Sequence, residues 1–548
     1  MNVADAPGGS GPVVNGTRAM VCAADQLAAS AATTLLGSGG SAADAAVGAA
    51  AVMAVVGPHL CGMGGDLLAL VQIPGAPPEA LMAAGRAGSG ADPGRLRSEG
   101  TSHMPFRGDA RSVTVPGAVD GWLALHGRFG RLALETVLEP AITLATEGFG
   151  ASLLLVLASS LLSGTGPTEL CPSGRPLEVD QVVRLPRLAR TLRAVAEHGR
   201  DGFYGGEFGR ELLMLGDGEF EPADLTAPLA TWEEPLHRTA FGHTWWTVPP
   251  PSQGYLTLAS ASIAEILDLP TDSADPMFAG LLMDACDAAG RDRPDVLYDG
   301  ADGMALLADT RIDALSDDAR TTRTRSAGAP PPSPVDPVRD EVAFGDGDTT
   351  HLSVVDGEGM GISLTQSNAL DFGSHIVAGS SGVFLHNRGL GFSLRPGHPA
   401  EYGPRRRPPH TLSPAMVTRG DGTLSHVVGA MGGDSQPQVI LQIMARMLHA
   451  GEDPASAVAA PRVVLHAPGS PPFHLWDEPN RGVLMESDVP EQWREWFTRS
   501  GRSVQLVGAL SPVDVGCSQV VAVRHRRGGV LMTGASDPRS PTGAALGL

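Results

Sequence analysis

Apolar residues recur at helical spacing from residue 17 to residue 36, with small residues between them, which predicts an amphipathic helix. Ser41 followed by Asp44 resembles a capping box, and it opens a second helix, 41–56, that is apolar on every side and so belongs in the interior. Gly57-Pro58 stops it, and Gly62-Met63-Gly64-Gly65 turns the chain into a strand at 67–72. Val113 to Trp122 forms a turn into a helix that continues to about Phe129. Residues 132–195 keep three and four spacing, with breaks at Gly148, Gly164 to Pro167 and Pro172; helices at 256–267 and 276–289 follow.

The period changes in the last third of the chain. Residues 319–348, rich in Arg and Pro, predict a flexible linker, after which 351–355 and 360–365 alternate around Gly357-Glu358-Gly359 as a hairpin. A buried strand at 424–430 ends at Gly432-Gly433, an amphipathic helix spans 436–448, and 520–523 and 530–533 form a last hairpin. Periodicity alone supports a mixed α/β or α+β protein. A structureless stretch as long as 319–348 argues against its own assignment in a compact enzyme, unless the chain is cut there and the new end has to withdraw.

Composition narrows the class. With 548 residues, 42% of them hydrophobic, the chain can bury a large core, and a net charge of −21 disfavours nucleic acid and anionic membrane as partners. The five cysteines have no metal-ligand spacing, so thiols without a metal are expected. The N-terminal residues carry no basic region ahead of an apolar core, and a cytoplasmic protein is expected. The glycine cluster at 62–65 lacks the Lys-Ser/Thr of a phosphate loop, so neither nucleotide nor any other cofactor is expected.

The junction Gly345-Asp346-Gly347-Asp348-Thr349-Thr350-His351 carries the candidate chemistry. A threonine at a new chain start has an α-amine beside its own hydroxyl, the pairing used for nucleophilic catalysis, and that amine titrates near neutral pH. Thr349 to Asp356, Gly40 to Ala46, Gly62 to Asp66, Gly432-Gly433 and Gly534 to Arg539 together resemble the γ-glutamyltranspeptidases, N-terminal nucleophile hydrolases made as one self-cutting precursor. The resemblance spans nearly the whole chain. It implies an α+β, four-layer αββα sandwich, with an extra helical region in a large subunit 1–348 and a small subunit 349–548 that pair as a heterodimer.

It further implies cleavage between Asp348 and Thr349, with Thr349 as nucleophile. Ser367 is implied as its hydroxyl partner, Gly432 and Gly433 as oxyanion donors, and Arg86 as the grip on a substrate carboxylate. His351 is expected to be structural. Four residues depart from the family pattern: Ala369 stands where a side chain would help hold the glutamyl α-amine or carboxylate, Gly391 where an Asp would bind the ammonium group, and His410-Thr411 replaces two serines at the carboxylate. The stretch between Phe392 and Pro408 is also short, which predicts an open site.

These departures make glutathione a poor substrate and point to another small carboxylate-bearing compound, with His410 and Thr411 near it. One alternative is hydrolysis of a carbon–carbon bond beside a keto acid on a dihydropyrrole carboxylate, as implied by resemblance to an actinobacterial antibiotic-biosynthesis branch. The other is an uncut, catalytically silent binding protein.

Overall fold

The computed structural model describes residues 13–163, 168–326, 348–467, 469–470, 473–511, 513–527 and 529–548. Seven antiparallel strands form one sheet in the order Val14–Gly16, Gly529–Ser536, Ser518–Arg526, Leu424–Ala430, Ala415–Thr418, His243–Thr247, Leu236–Ala240. The second sheet runs Ala544–Gly547, Met20–Ala23, Asp348–Val355, Gly361–Ala369, Asp66–Gln72, Glu79–Ala83, Thr231–Glu233, again antiparallel throughout.

Two-residue alternation sorts the side chains of each sheet. In Asp66–Gln72, Leu68 and Leu70 face the other sheet and pack with Met416, Val427 and Val521. Leu67, Ala69 and Val71 face outward, where the helices Gln26–Gly37, Ala42–Val56, Ala118–Phe129 and Leu134–Glu147 cover them. The first sheet divides the same way: Val427 and Val521 point inward, whereas Val428 and Val520 meet Tyr255–Ile266, Pro276–Gly290 and Gln436–Leu448. The result is a four-layer αββα sandwich, an α+β fold.

Several elements differ from the sequence expectation. The single helix expected at 17–36 is a strand, Met20–Ala23, followed by a helix, Gln26–Gly37, whose start Asp25 caps by accepting the Leu27 N–H at 2.8 Å. All four strand residues are buried between Asp348–Val355 and Ala544–Gly547, and sheet pairing overrides their helical spacing. Residues 132–195 hold the helices Leu134–Glu147, Leu153–Ser159 and Pro186–Phe203 with short strands between them; the break at 164–167 lies outside the described residues. The linker expected at 319–348 begins as helix, because Asp309–Ser326 extends into its first residues; Arg320 there bonds Asp317 and the Ile266 carbonyl. Residues 327–347 lie outside the described part.

Residues on either side of Thr349 contribute strands to both sheets, so neither part holds a complete core. The predicted cap at Ser41 is present and reaches further than its own helix. Asp44 accepts the Ser41 N–H at 2.8 Å and the Arg131 N–H at 2.9 Å, tying the buried helix Ala42–Val56 to the loop ahead of Leu134–Glu147. Asp44→Ala leaves these buried donors unmatched and is expected to destabilise the protein by about 3 kcal/mol, read as a lower denaturant midpoint.

Candidate active site

Strand Asp348–Val355 pairs regularly with Gly361–Ala369 from Val355 opposite Gly361 back to Thr350 opposite Gln366. There the register slips, and Asp348 faces Ala369: the single residue Thr349 stands opposite two, Ser367 and Asn368, so the extra residue of the bulge lies on the partner strand, a device that re-aims a side chain. Its Oγ1 donates to Ser367 Oγ at 3.1 Å, and the residue is 1% exposed. Ser367 Oγ also accepts the Ala369 N–H at 2.8 Å and Arg388 Nη2–H at 3.1 Å. Ala369 reaches that oxygen by adopting φ +78°, in the left-handed region. The glycine cluster at 62–65 has a packing role, since a Cβ on Gly65 would lie 2.3 Å from the Ser367 carbonyl oxygen.

The glycine pair arrives from the other sheet. Ser353 Oγ donates to the Val427 carbonyl at 3.3 Å, and the His351 ring sits on Gly429, where a Cβ would come within 2.3 Å of it. Two residues further along the two strands come Thr349 and Met431, the latter immediately ahead of Gly432. Gly432 (φ +133°) and Gly433 (φ +53°) have backbones that favour glycine. Their carbonyls are fixed: Gly432 O accepts Ser435 N–H at 2.9 Å, and Gly433 O accepts Gln253 Nε2–H at 2.9 Å. No described residue accepts either glycine's N–H.

Behind this turn lies a buried ionic network. Arg462 and Arg539 both pair with Asp537, Arg539 Nε–H meets Glu486 at 2.9 Å, and Arg462 Nη1–H holds the Gly516 carbonyl at 2.7 Å. Gly516 packs so closely that a Cβ there would lie 2.3 Å from the Met431 carbonyl oxygen. Asp537 and Arg539, quoted in the sequence motif, thus support the glycine turn from behind.

Asp66 organises the opposite wall. Its carboxylate accepts the N–H groups of Gly85 (2.9 Å) and Gly117 (3.2 Å) and Nε2–H of His410 (3.1 Å). His386 Nδ1 lies at 3.4 Å and Arg388 Nε at 3.9 Å. Burial pushes this carboxyl up, but His386, His410 and Arg388 outweigh it and hold it well below the usual carboxylate range. Burial, reinforced by Arg388, pulls His410 down to about 4, and burial also lowers His386. The cluster at neutral pH is therefore an ionised Asp66, two neutral imidazoles and a charged Arg388.

The residues singled out by sequence converge unequally. Thr349, Ser367 and Thr411 share one hydrogen-bonded chain, because Arg388 Nη1–H also donates to Thr411 Oγ1 at 3.0 Å. His410 is fully buried, and both ring nitrogens are taken, by Asp66 and by the Leu412 N–H. Arg86 is partly exposed and bonds Asp299 Oδ2 at 3.2 Å and the Arg405 carbonyl at 3.1 Å. His351 is structural: its ring joins Thr365 Oγ1 at 2.9 Å and Ser353 Oγ at 3.1 Å, and burial pulls it down to about 3. At Gly391 a Cβ would come 2.4 Å from the Pro409 carbonyl oxygen, so the backbone itself excludes a side chain there. Arg388, Asp66 and Gln253 complete the site; Asp66 stands inside a motif recognised in the sequence, but spacing does not reveal that the three belong together.

Two antiparallel sheets between helical layers, with a buried hydroxyl at the start of an inner strand, are the architecture of the N-terminal nucleophile hydrolases. The family model for gamma-glutamyltranspeptidase matches residues 28–547. The chain belongs to the γ-glutamyltranspeptidase family and is a hydrolase/acyltransferase of that family. It is 32% identical to the glutathione hydrolase-like YwrD proenzyme of Bacillus subtilis, over 98% of this chain and 99% of that protein. It is also 32% identical to the oxamate amidohydrolase proenzyme of Klebsiella pneumoniae, over 97% and 98%. Among solved structures it resembles the cephalosporin acylase from Bacillus halodurans, with a TM-score of 0.86, 27% identity and coverage of 99% and 98%. No helix among the described residues is long and apolar enough to cross a membrane.

The neutral buried imidazoles set a pH dependence. In the unfolded chain His351 and His410 titrate near 6.5, above their folded values of about 3 and 4, so the unfolded state takes up protons first on acidification. Their contribution to stability is complete above pH 6.5 and is lost as pH falls toward 4, by about 1.4 kcal/mol per pH unit for each imidazole. Urea midpoints measured at pH 7, 6 and 5 are expected to fall in that order, and His351→Gln should flatten the slope.

Proposed function

We propose that the chain is an autoprocessing threonine hydrolase acting on a small carboxylate-bearing acyl donor. In maturation Thr349 Oγ attacks the Asp348 carbonyl carbon, the bond to the Thr349 nitrogen breaks, and the hydroxyl proton passes to that nitrogen. Water then splits the ester, leaving residues 1–348 with a new carboxylate and 349–548 with a free α-amine. In turnover the α-amine takes the hydroxyl proton, the Gly432 and Gly433 N–H groups stabilise the oxyanion, and water releases the acyl group. The two fragments stay together because both sheets are shared between them.

The observation that carries this reading is the Thr349–Ser367 hydroxyl pair, buried at a bulge where the inner strand begins. For the substrate, the closed position at Gly391 and the short side chain of Ala369 leave no ammonium contact, which disfavours γ-glutamyl donors. A relative of equal identity is named for hydrolysis of oxamate, a small carboxylate-bearing amide. The same absence favours the second reading, in which the nucleophile attacks a ketone and a carbon–carbon bond beside a keto acid breaks. A silent binding protein would have no use for a threonine hydroxyl buried against a second hydroxyl at the start of an inner strand.

Intact mass and denaturing electrophoresis test the reading. The wild-type protein is expected to yield two fragments matching 1–348 and 349–548, and Thr349→Ala a single chain without hydrolytic activity. Two fragments from Thr349→Ala would move the nucleophile elsewhere.

A further inference from the structure

Arg388 is a cation in an unusual setting. Its side chain is 1% exposed, and burial draws its pKa down to about 10, with Asp66 and Asp434 opposing. Its charge is not matched by a close ion pair: Asp66 Oδ2 is 3.9 Å from Nε, and Nε–H has no hydrogen-bond partner among the described residues. The two ends of the fork go instead to neutral hydroxyls, Ser367 Oγ and Thr411 Oγ1. A buried guanidinium is stabilised much better by a carboxylate than by hydroxyls.

The hydroxyl contacts are also replaceable. Ser367 Oγ accepts from Thr349, Ala369 and Arg388, three donors on an oxygen with two lone pairs, so one of them is held weakly. Arg86, the carboxylate grip that the resemblance implies, is already satisfied by Asp299 and the Arg405 carbonyl. Acidic partners are spoken for: Asp66 by two N–H groups and His410, and Asp434 by Arg293 at 3.3 Å. A groove of about 430 Å³ lined by Gly391, Pro409 and Phe473 lies next to it, the Phe473 ring being 5.2 Å from the guanidinium.

We propose that Arg388 receives a carboxylate of the acyl donor, and that the preferred donors are monoamides of two- to four-carbon dicarboxylic acids. The length follows from the chain of contacts: Arg388 Nη2 is at most two hydrogen-bond lengths from Thr349 Oγ1, too near for a carboxylate at the far end of a long acyl group. Thr349 Oγ bonds to the amide carbon, the carbon–nitrogen bond breaks, and the hydroxyl proton leaves on ammonia by way of the α-amine. Water then splits the ester, returning the Thr349 hydroxyl and freeing a dicarboxylate.

The assignment deepens the hydrolase reading and rests on it, so the test separates the two. Processed wild-type enzyme, Arg388→Gln, Arg388→Lys and Arg86→Gln are compared on oxamate, malonamate and succinamate, and on the uncharged methyl ester of each. Arg388→Gln is expected to lower the kcat/KM ratio of acid over ester about a hundredfold, mostly through KM, with partial rescue by Arg388→Lys and a much smaller change in Arg86→Gln. A ratio unchanged in Arg388→Gln, or one lost in Arg86→Gln instead, overturns the assignment while leaving the hydrolase intact; two-fragment mass in every variant certifies that intactness. Inhibition of the wild type by oxalate, malonate and succinate gives an answer even if the variants do not fold. These dianions should inhibit at least tenfold more strongly than glutamate, and stronger inhibition by glutamate refutes the proposal.

Discussion

The site depends on how strand Asp348–Val355 lies across strand Leu424–Ala430 of the facing sheet. At one end of the sandwich the filling is apolar, with Val355, Leu424, Val523 and Met532 buried together. At the other it is polar: Ser353, His351, Thr365 and Ser363 bridge the layers through hydroxyls, an imidazole and backbone carbonyls. Directional bonds fix a sliding register that apolar contacts leave loose, and a one-residue slip would carry Thr349 to the opposite face. The absence of a side chain at Gly429 is part of this fit, because the His351 ring occupies the space. Bond geometry in the interface thus fixes the register of the strand that begins at Thr349 against the strand that ends ahead of the glycine turn.

Charge is handled differently on the two sides of that turn. Behind it, Arg462, Arg539, Asp537 and Glu486 are buried in mutually compensating pairs, and the motif's role is rigidity. Breaking such a pair by removing one partner typically costs about 3–5 kcal/mol, so the four charges hold together as a unit. In front of it, Asp66 is compensated by N–H groups and neutral imidazoles, leaving the Arg388 charge only loosely opposed. The first arrangement closes on itself; the second leaves the Arg388 Nε–H without a hydrogen-bond partner among the described residues.

Much of this was legible in the residues and some was not. The helix Gln436–Leu448 and the strand Leu424–Ala430 match the periodic pattern end to end, because both are long, buried and bounded by glycine or by polar turns. Met20–Ala23, Ala415–Thr418 and His243–Thr247 are short, and their conformation is decided by neighbours far away in the chain, which local spacing does not register. The site shows the same division. Thr349, Ser367 and the glycine pair lie in recognisable motifs, whereas the reach of Arg388 to Ser367 and Thr411 exists only once the turn Arg388–Gly391 is packed against the loop 408–411.

That packing also constrains how substrate choice can change in this fold. Where only a side chain differs, restoring the residue restores its interaction, but position 391 lacks the room for a side chain as well as the side chain itself. A Cβ there meets the Pro409 carbonyl at 2.4 Å, and Pro409 precedes His410, whose ring is held by Asp66 and whose own backbone bonds Pro251 and Gln253. Making space for an Asp at 391 therefore means moving a segment anchored to Asp66 on one side and, through Gln253, to the carbonyl of Gly433 on the other. The same shift would disturb Thr411, one end of the Arg388 fork. The closed position at residue 391 and the setting of a buried cation are two results of one backbone path, and Gly391→Asp would disturb the second in making room for itself.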